Sequence, residues 1–283
     1  MTILDGFAAV ASRYDGFILD LWGVIHDGVA PYPGAIDMLR RLAVAGKPAV
    51  LLSNAPRRAQ VAQAGMRRMG IADSLYTGIL TSGEVTYRML RDRTDPFFAT
   101  LGRRVYHLGP ERDRNVIEGL DLEPVARPED AGFVLNTGPD DERSPTDPAA
   151  FDDVLRACFA AGLPMLCANP DLVVIRSGER VICAGLLTQR YEALGGIARW
   201  VGKPDPAVYG PVLDMLGVAP SRVLAVGDSL RTDIAGAAGV GIDACWVLGG
   251  IHAAELGGDT AAAERAARLA GLAPVAAMPA FVW

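Results

Sequence analysis

Four short apolar runs constrain this chain more tightly than its composition does. They are FILDLWGV around Phe17 to Leu21, PAVLLSN ending at Asn54, RVLAVGDS around Val223 to Gly227, and ACWVL around Cys245. Each is nearly continuous in apolar residues rather than alternating, the pattern of a strand covered on both faces. Helical stretches separate them: about Ala35 to Ala45 closed by Gly46, Pro56 to Met69 closed by Gly70, and Pro206 to Leu216 closed by Gly217. Proline at a helix start and glycine just past its end are the expected punctuation. Buried strands alternating with helices predict an α/β fold, a Rossmann-like parallel sheet with helices on both faces.

That grammar occupies residues 1–80 and returns over 191–283. Between them, from 81 to 190, the pattern is less regular: RRVYHLG, GFVLNTG and MLCANP read as strands and PDDERSPTDP as an exposed loop. This stretch is expected to be an inserted α/β domain. At 283 residues with 51% hydrophobic content, the chain has the area for two cores. The Ala-rich stretch from Thr260 to Ala270 predicts a terminal helix capped by Asp259 or Thr260.

Charge narrows the function classes. A net charge of -6 and a pI near 5.1 argue against a nucleic-acid partner or an anionic membrane surface, both of which need a basic field. A small anion would need a local basic pocket. The start lacks a basic segment followed by an apolar one, and no run approaches the roughly 18 apolar residues of a spanning helix, so a cytoplasmic location is expected. Cys158, Cys167, Cys183 and Cys245 lie in apolar surroundings without CxxC spacing and read as buried reduced thiols. Only Lys47 and Lys203 are lysines among 27 basic residues, so a lysine kept at a strand end draws notice.

In open parallel sheets ligands bind at the carboxyl ends of the strands. Asp20 ends FILD, Ser53 ends AVLLS, Lys203 follows IARWVG, and Asp228 follows RVLAVG with Asp233 about one helical turn on. Each has a structural reading alone. Asp20 suits a turn, Ser53 and Asn54 a helix cap, Lys203 an exposed turn, and Asp228 with Asp233 the first turn of a helix. Together they make a coherent chemistry. Asp20 and Asp228 offer hard oxygens to Mg²⁺, Ser53 and Lys203 hold phosphoryl oxygens, and attack by the Asp20 carboxylate divides hydrolysis into two displacements.

This set resembles the haloacid dehalogenase superfamily of phosphohydrolases: ILDLWGV for its first motif, LLSN for the second, GKP for the third and GDSLRTD for the fourth. DGVAPYPGA is similar to the family's flap, and SNAPRR, CANPDL and GDSLRTDI are similar to its class IIA branch, whose α/β cap lies between the second and third motifs. The resemblance implies Asp20 as nucleophile and metal ligand, the Trp22 carbonyl and Asp228 as further Mg²⁺ ligands, and Asp233 as support for the metal site. It implies Ser53 and Lys203 as phosphoryl binders beside Asn54, and a substrate-facing cap loop containing Asn169 and Asp171. Its substrates are small phosphate esters, and class IIA relatives often pair through the cap, which leaves a homodimer open.

Trp22 departs from the pattern. Family phosphatases carry a second aspartate there, which protonates the leaving oxygen and then activates water. A tryptophan keeps a backbone ligand but carries no proton, and general acid–base catalysis is worth about 10² to 10⁴ in rate. His26 and Asp27, in the flap, are the nearest candidates to substitute. Arg57 and Arg58 read either as solvated charges or as groups reaching an anionic substrate. Two other classes remain open: a phosphate-ligand binder without turnover, and a dehalogenase, in which an aromatic residue stands at this position but the acidic pair of GDSLRTD has no use. A C–P bond hydrolase needs a cap lysine, and 81–190 contains none.

Overall fold

The computed structural model describes residues 1–283. Seven strands form one sheet in the order Thr2–Ile3, Ala276–Met278, Asp243–Val247, Val223–Gly227, Gly16–Leu19, Ala49–Ser53 and Gly78–Thr81. Every neighbouring pair is parallel. Both faces are covered, as continuous apolar runs require: Phe17, Leu19, Leu51 and Val226 pack into one cluster, while Ile18, Val50, Leu52 and Ala225 pack into the other. Met38, Leu39 and Leu42 of helix Ala35–Val44 close the first face. Val212 and Leu216 of helix Tyr209–Leu216 close the second.

From Gly16–Leu19 the chain builds outward through Ala49–Ser53 to Gly78–Thr81, whereas Val223–Gly227 lies on the opposite side and begins the other half. The sheet therefore reverses its order between two adjacent strands, one running into Asp20 and the other into Asp228. Such a reversal opens a crevice at the carboxyl edge, the usual ligand position of this architecture.

A second, five-stranded sheet is also wholly parallel, in the order Ala198–Trp200, Met165–Cys167, Phe133–Asn136, Arg104–Leu108 and Glu123–Val125. Here the structure departs from the sequence expectation. IARWV was assigned with the 191–283 segment, yet Ala198–Trp200 pairs with Met165–Cys167 in the second sheet. An apolar parallel strand reads alike in either sheet, so its run did not disclose its partner. Lys203 consequently leaves a strand of the second sheet and crosses to the first.

Two smaller differences matter. The helix after Ser53 runs Ala59–Arg68, because Pro56 to Arg58 make the turn that leads into it. An antiparallel hairpin, Val173–Arg176 with Glu179–Ile182, went unread. Its turn residues Ser177 and Gly178 both have positive φ, the requirement of a tight two-residue hairpin, and the Ser-Gly pair between β-branched runs was its signal. The terminal helix Thr260–Leu269 is capped by Asp259, whose side chain accepts from the Ala261 amide. All four cysteines are free and buried. No helix is long and apolar enough to cross a membrane.

Candidate active site

The crevice floor is a buried charge cluster. The Asp20 amide donates to the Val226 carbonyl at 2.9 Å, so the strand pairing itself fixes the backbone from which the carboxylate projects. Asp20 Oδ1 accepts from its neighbour Leu21's amide at 2.8 Å and from Lys203 Nζ at 2.6 Å. The same ammonium donates to Asp233 Oδ1 at 2.7 Å and to the Leu52 carbonyl at 3.0 Å, satisfying its three N–H groups. Lys203 is only 3% exposed, and burial alone would drive its pKa down. Asp20, Asp233 and Asp171 outweigh that and hold it above its ordinary value.

Asp20, Asp228 and Asp233 bring carboxylate oxygens within 4.8 Å of one another. Burial, then Asp233's charge, pushes the Asp20 carboxyl up to about 8 against the pull of Lys203. Burial, followed by Asp20 and Asp233, raises Asp228 well above the carboxylate range. Asp228 Oδ2 is held by the Ile251 amide at 2.7 Å, and Asp233 Oδ2 by the Ser229 amide at 3.1 Å. At Gly23, with φ of 77°, an added Cβ would lie 1.8 Å from Asp228 Oδ2, so only glycine lets the first loop approach this carboxylate. Three close acids gather hard oxygens around one hydrogen-bonded ammonium, and the raised proton affinity of Asp20 and Asp228 marks a site short of positive charge. That donor set fits a divalent cation such as Mg²⁺.

Asn54 works on Lys203 from behind. Its Oδ1 accepts from the Lys203 amide at 2.8 Å, and its Nδ2 donates to the Lys203 carbonyl at 3.2 Å and to Asp171 Oδ1 at 2.9 Å. The asparagine read as a substrate contact thus clamps the lysine's backbone and ties it to Asp171 of the CANPD loop. Ser53 is buried at the end of its strand, with Oγ accepting from the Ala55 amide at 3.2 Å. Asn169 Oδ1 accepts from the Asp171 amide at 3.0 Å, a self-contained turn.

Above the cluster lies a cavity of about 380 Å³, lined by Asp20, Trp22, Asp171, Asp228 and Arg231, and by the hairpin residues Val173 to Ile175. The Trp22 ring meets His26 edge-on, centroids 5.5 Å apart. His26 lines a different cavity, behind Trp22, and burial holds its imidazole down to about 4, so it is neutral at pH 7. Asp27 Oδ1 accepts from the Val29 and Ala30 amides, which hold its pKa below the usual carboxylate range. Neither flap residue is a ready proton donor here. Arg57 and Arg58 part company: Arg58 pairs with Glu84 at 2.7 Å and stacks on Tyr87, whereas Arg57 faces a cavity.

Some participants escaped the sequence reading. The Ile251 amide follows the Gly249-Gly250 pair at the end of ACWVL, and this glycine pair was the available signal. Arg231 sits inside GDSLRTD without an assigned role, yet its Nη2 donates to the Pro170 carbonyl and so joins the floor to the CANPD loop. Ser82 Oγ donates to Asn54's carbonyl at 2.7 Å and also to that of Ala168, a link no local pattern announces.

A doubly covered parallel sheet with carboxylates and a lysine at its order reversal, roofed by a second α/β unit, defines a capped α/β hydrolase. Known proteins agree. A family model described as haloacid dehalogenase-like hydrolase matches residues 17–123, and a HAD-hydrolase-like model matches 200–272. Chronophin from Bos taurus is 30% identical over 252 residues, spanning 80% of this chain and 78% of its own. D-glycerol 3-phosphate phosphatase from Mycobacterium tuberculosis is 28% identical, spanning 87% of this chain and 66% of its own. The crystal structure of a haloacid dehalogenase-like hydrolase from Brucella suis superposes with a TM-score of 0.84 at 32% identity, over 99% of this chain and 100% of that one. The chain belongs to the haloacid dehalogenase-like hydrolase family, in its class IIA branch of capped phosphatases.

Proposed function

We propose that this chain hydrolyses a small phosphate monoester, dependent on Mg²⁺, through an aspartyl-phosphate on Asp20. The observation carrying the reading is the Asp20–Lys203–Asp233 hydrogen-bonded chain beside Asp228, with Asp20 and Asp228 lining a cavity of ligand size. Residues 82–201 act as the cap. Mg²⁺ held by Asp20, the Trp22 carbonyl and Asp228, with Asp233 alongside, would supply the positive charge that lets an anionic phosphoryl group approach a carboxylate.

The chain's own groups do the rest. Lys203 turns an N–H toward a phosphoryl oxygen, exchanging one of its present acceptors for the substrate, while Ser53 Oγ adds a second donor. Asn54 keeps the lysine backbone in place. A free Asp20 oxygen attacks phosphorus, the O–P bond to the ester oxygen breaks, and the alcohol leaves. Water then attacks phosphorus of the aspartyl-phosphate, releasing inorganic phosphate and restoring Asp20.

Trp22 decides which esters leave readily. Because the indole N–H is far too weak an acid to serve, a departing alkoxide must take its proton from solvent, whereas an aryl or acyl leaving group needs none. Turnover should therefore favour aryl phosphates over alkyl phosphates. Steady-state assays with native protein and Trp22→Asp, on both ester types with and without Mg²⁺, test the reading. Trp22→Asp is expected to accelerate alkyl ester hydrolysis by about 10² and aryl ester hydrolysis far less. Native protein that releases phosphate from neither ester type, metal present, overturns it. Halide release without metal would move the assignment to a dehalogenase.

A further inference from the structure

Trp22 also lines a second cavity, of about 180 Å³, on the flap side of the hairpin. Trp22, Asp171 and Val174 are common to this chamber and to the one above Asp20. The indole is held against the flap: at Gly28, with φ of 87°, an added Cβ would stand 2.1 Å from the ring. One wall therefore lies between two chambers, the first with more acids than bases in its lining and the second with more bases than acids. The first is floored by carboxylates. The second is lined by three arginines: Arg57 from the loop after Ser53, Arg112 from the second unit, and Arg176 from the hairpin.

Arg57 is the informative one. Its Nε is buried and has no hydrogen-bond partner. Its ion-pair partner Asp113 stands 3.5 Å away, too far for a good hydrogen bond, and Asp113 Oδ1 is likewise unpartnered. The Nε thus faces Asp113 inside the fold, while the Arg57 side chain is 29% exposed on the chamber wall, which leaves its outer N–H groups for an acceptor that enters the cavity. Asp113 and Asp171 are the carboxylates of this chamber, and the three arginines outnumber them. Arg112 has only a distant contact, 3.8 Å to exposed Asp141, and Arg176 is exposed on the hairpin. Guanidinium groups suit carboxylate and phosphate oxygens because their planar fork matches them. In a chain of net charge -6, this is a local basic pocket.

We propose that the substrate carries a second anionic group, a carboxylate or a phosphate, which enters the arginine chamber past Trp22 with Arg57 as its main partner. The proposal rests on the phosphate monoester reading and narrows it. The ester phosphate lies over Asp20 and Lys203, the carbon skeleton passes the indole edge, and the far anion meets Arg57, with Arg176 from the hairpin closing above it. Neutral polyol phosphates would leave the Arg57 guanidinium without an anion in the chamber.

Three esters test this on the whole chain with Mg²⁺: glycerol 3-phosphate, 3-phosphoglycerate, and propane-1,3-diol bisphosphate. Steady-state kinetics give KM and calorimetry gives Kd, for native protein, Arg57→Lys and Arg176→Gln. Arg57→Lys keeps the charge beside Asp113 but loses the fork, and exposed Arg176 is replaceable without disturbing the core. Native protein is expected to favour at least one ester with a second anionic group over glycerol 3-phosphate by about 10-fold or more in KM and Kd. The ester preferred identifies the far group as carboxylate or phosphate. Arg57→Lys should abolish that preference and Arg176→Gln weaken it, with glycerol 3-phosphate unchanged within about two-fold. Equal handling of all three esters by native protein overturns the proposal, as does a preference that survives both substitutions. Preferential binding without hydrolysis would defeat the phosphatase reading and leave the chamber standing; hydrolysis without preference would do the reverse; no binding of any ester defeats both.

Discussion

Both sheets of this molecule are wholly parallel and both present a carboxyl edge, yet the two edges are chemically unlike. The seven-stranded sheet ends in Asp20 and Asp228, with Lys203 and Asp233 brought against them. In the five-stranded sheet, Met165–Cys167 and Ala198–Trp200 lead on to Asp171 and Lys203 of the same site, while Phe133–Asn136 and Arg104–Leu108 end among neutral groups that satisfy one another. Asn136 Nδ2 donates to the Ala184 carbonyl and Thr188 Oγ1, each at 3.0 Å, its Oδ1 accepts from the Gly138 amide, and His107 Nε2 meets Thr137 Oγ1 at 2.8 Å. Architecture offers a ligand crevice at either edge; charge left unbalanced distinguishes the one suited to catalysis. Around Asn136 and His107 the second edge spends its polarity on holding itself together.

The sharpest way to break that contrast is Asp20→Asn. If the first edge is built for chemistry, phosphatase activity should fall on the order of 10⁴-fold or more, the scale on which loss of a covalent nucleophile is felt. Thermal stability should hold or rise, because the substitution removes one of three crowded carboxylates. Activity within ten-fold of native, measured as kcat/KM, would mean the cluster is structural.

Lys203→Met probes the same edge from the cation side. The ammonium is the hydrogen-bonded counter-charge to Asp20 and Asp233, so its loss leaves buried acids uncompensated. Breaking such a pair typically costs about 3–5 kcal/mol. Urea unfolding should register a loss of that size. A stability unchanged within 1 kcal/mol, by contrast, would show that the acids already fold protonated and that the lysine is needed only for ligand.

How much of this was readable beforehand follows from the same contrast. Asp20, Ser53 and Asp228 were legible because each ends an apolar strand within a few residues, and sheet topology converts that local fact into convergence. Lys203 was legible for a partly mistaken reason: its strand belongs to the other sheet, and the lysine arrives by crossing between units. Asn54's grip on Lys203 spans 149 residues of chain, and Ser82's bond to Ala168 spans 86. No periodicity encodes such pairings, because they depend on how two finished units meet. The arginine chamber is the extreme case. Arg57, Arg112 and Arg176 come from three separate segments; the sequence left Arg57 open between a solvated charge and a substrate contact and marked neither of the other two.

The Asn136 network of the five-stranded edge should answer to stability alone. Asn136→Ala removes a fully buried amide and leaves Thr188 and the Gly138 amide with fewer partners, a loss of about 1–3 kcal/mol. Because Asn136 does not line the cavity above Asp20, kcat/KM should stay within about two-fold at temperatures where the protein remains folded. A large catalytic defect without a stability defect would erase the division between the two edges.

His107 gives the finest test, since it makes the second edge sensitive to acid while leaving it silent at neutral pH. Burial is the main reason its imidazole is held down to about 4, with Arg114 assisting and Asp140 opposing. Above about pH 6.5, the ordinary histidine value, native and unfolded chains both carry it neutral, and it adds no pH dependence. Below that, the unfolded chain takes the proton first, so stability falls as pH falls, and the loss is complete near 4, where the native imidazole titrates too. Between pH 7 and 5 the loss is roughly 1–2 kcal/mol, half-buried neighbours and solvent softening the full value. His107→Asn keeps a polar group beside Thr137 but cannot titrate, so unfolding curves across this range should lose that part of the slope. His26, similarly held down in the flap, retains its own share, and an unaltered slope in His107→Asn would assign the whole acid sensitivity to the catalytic half.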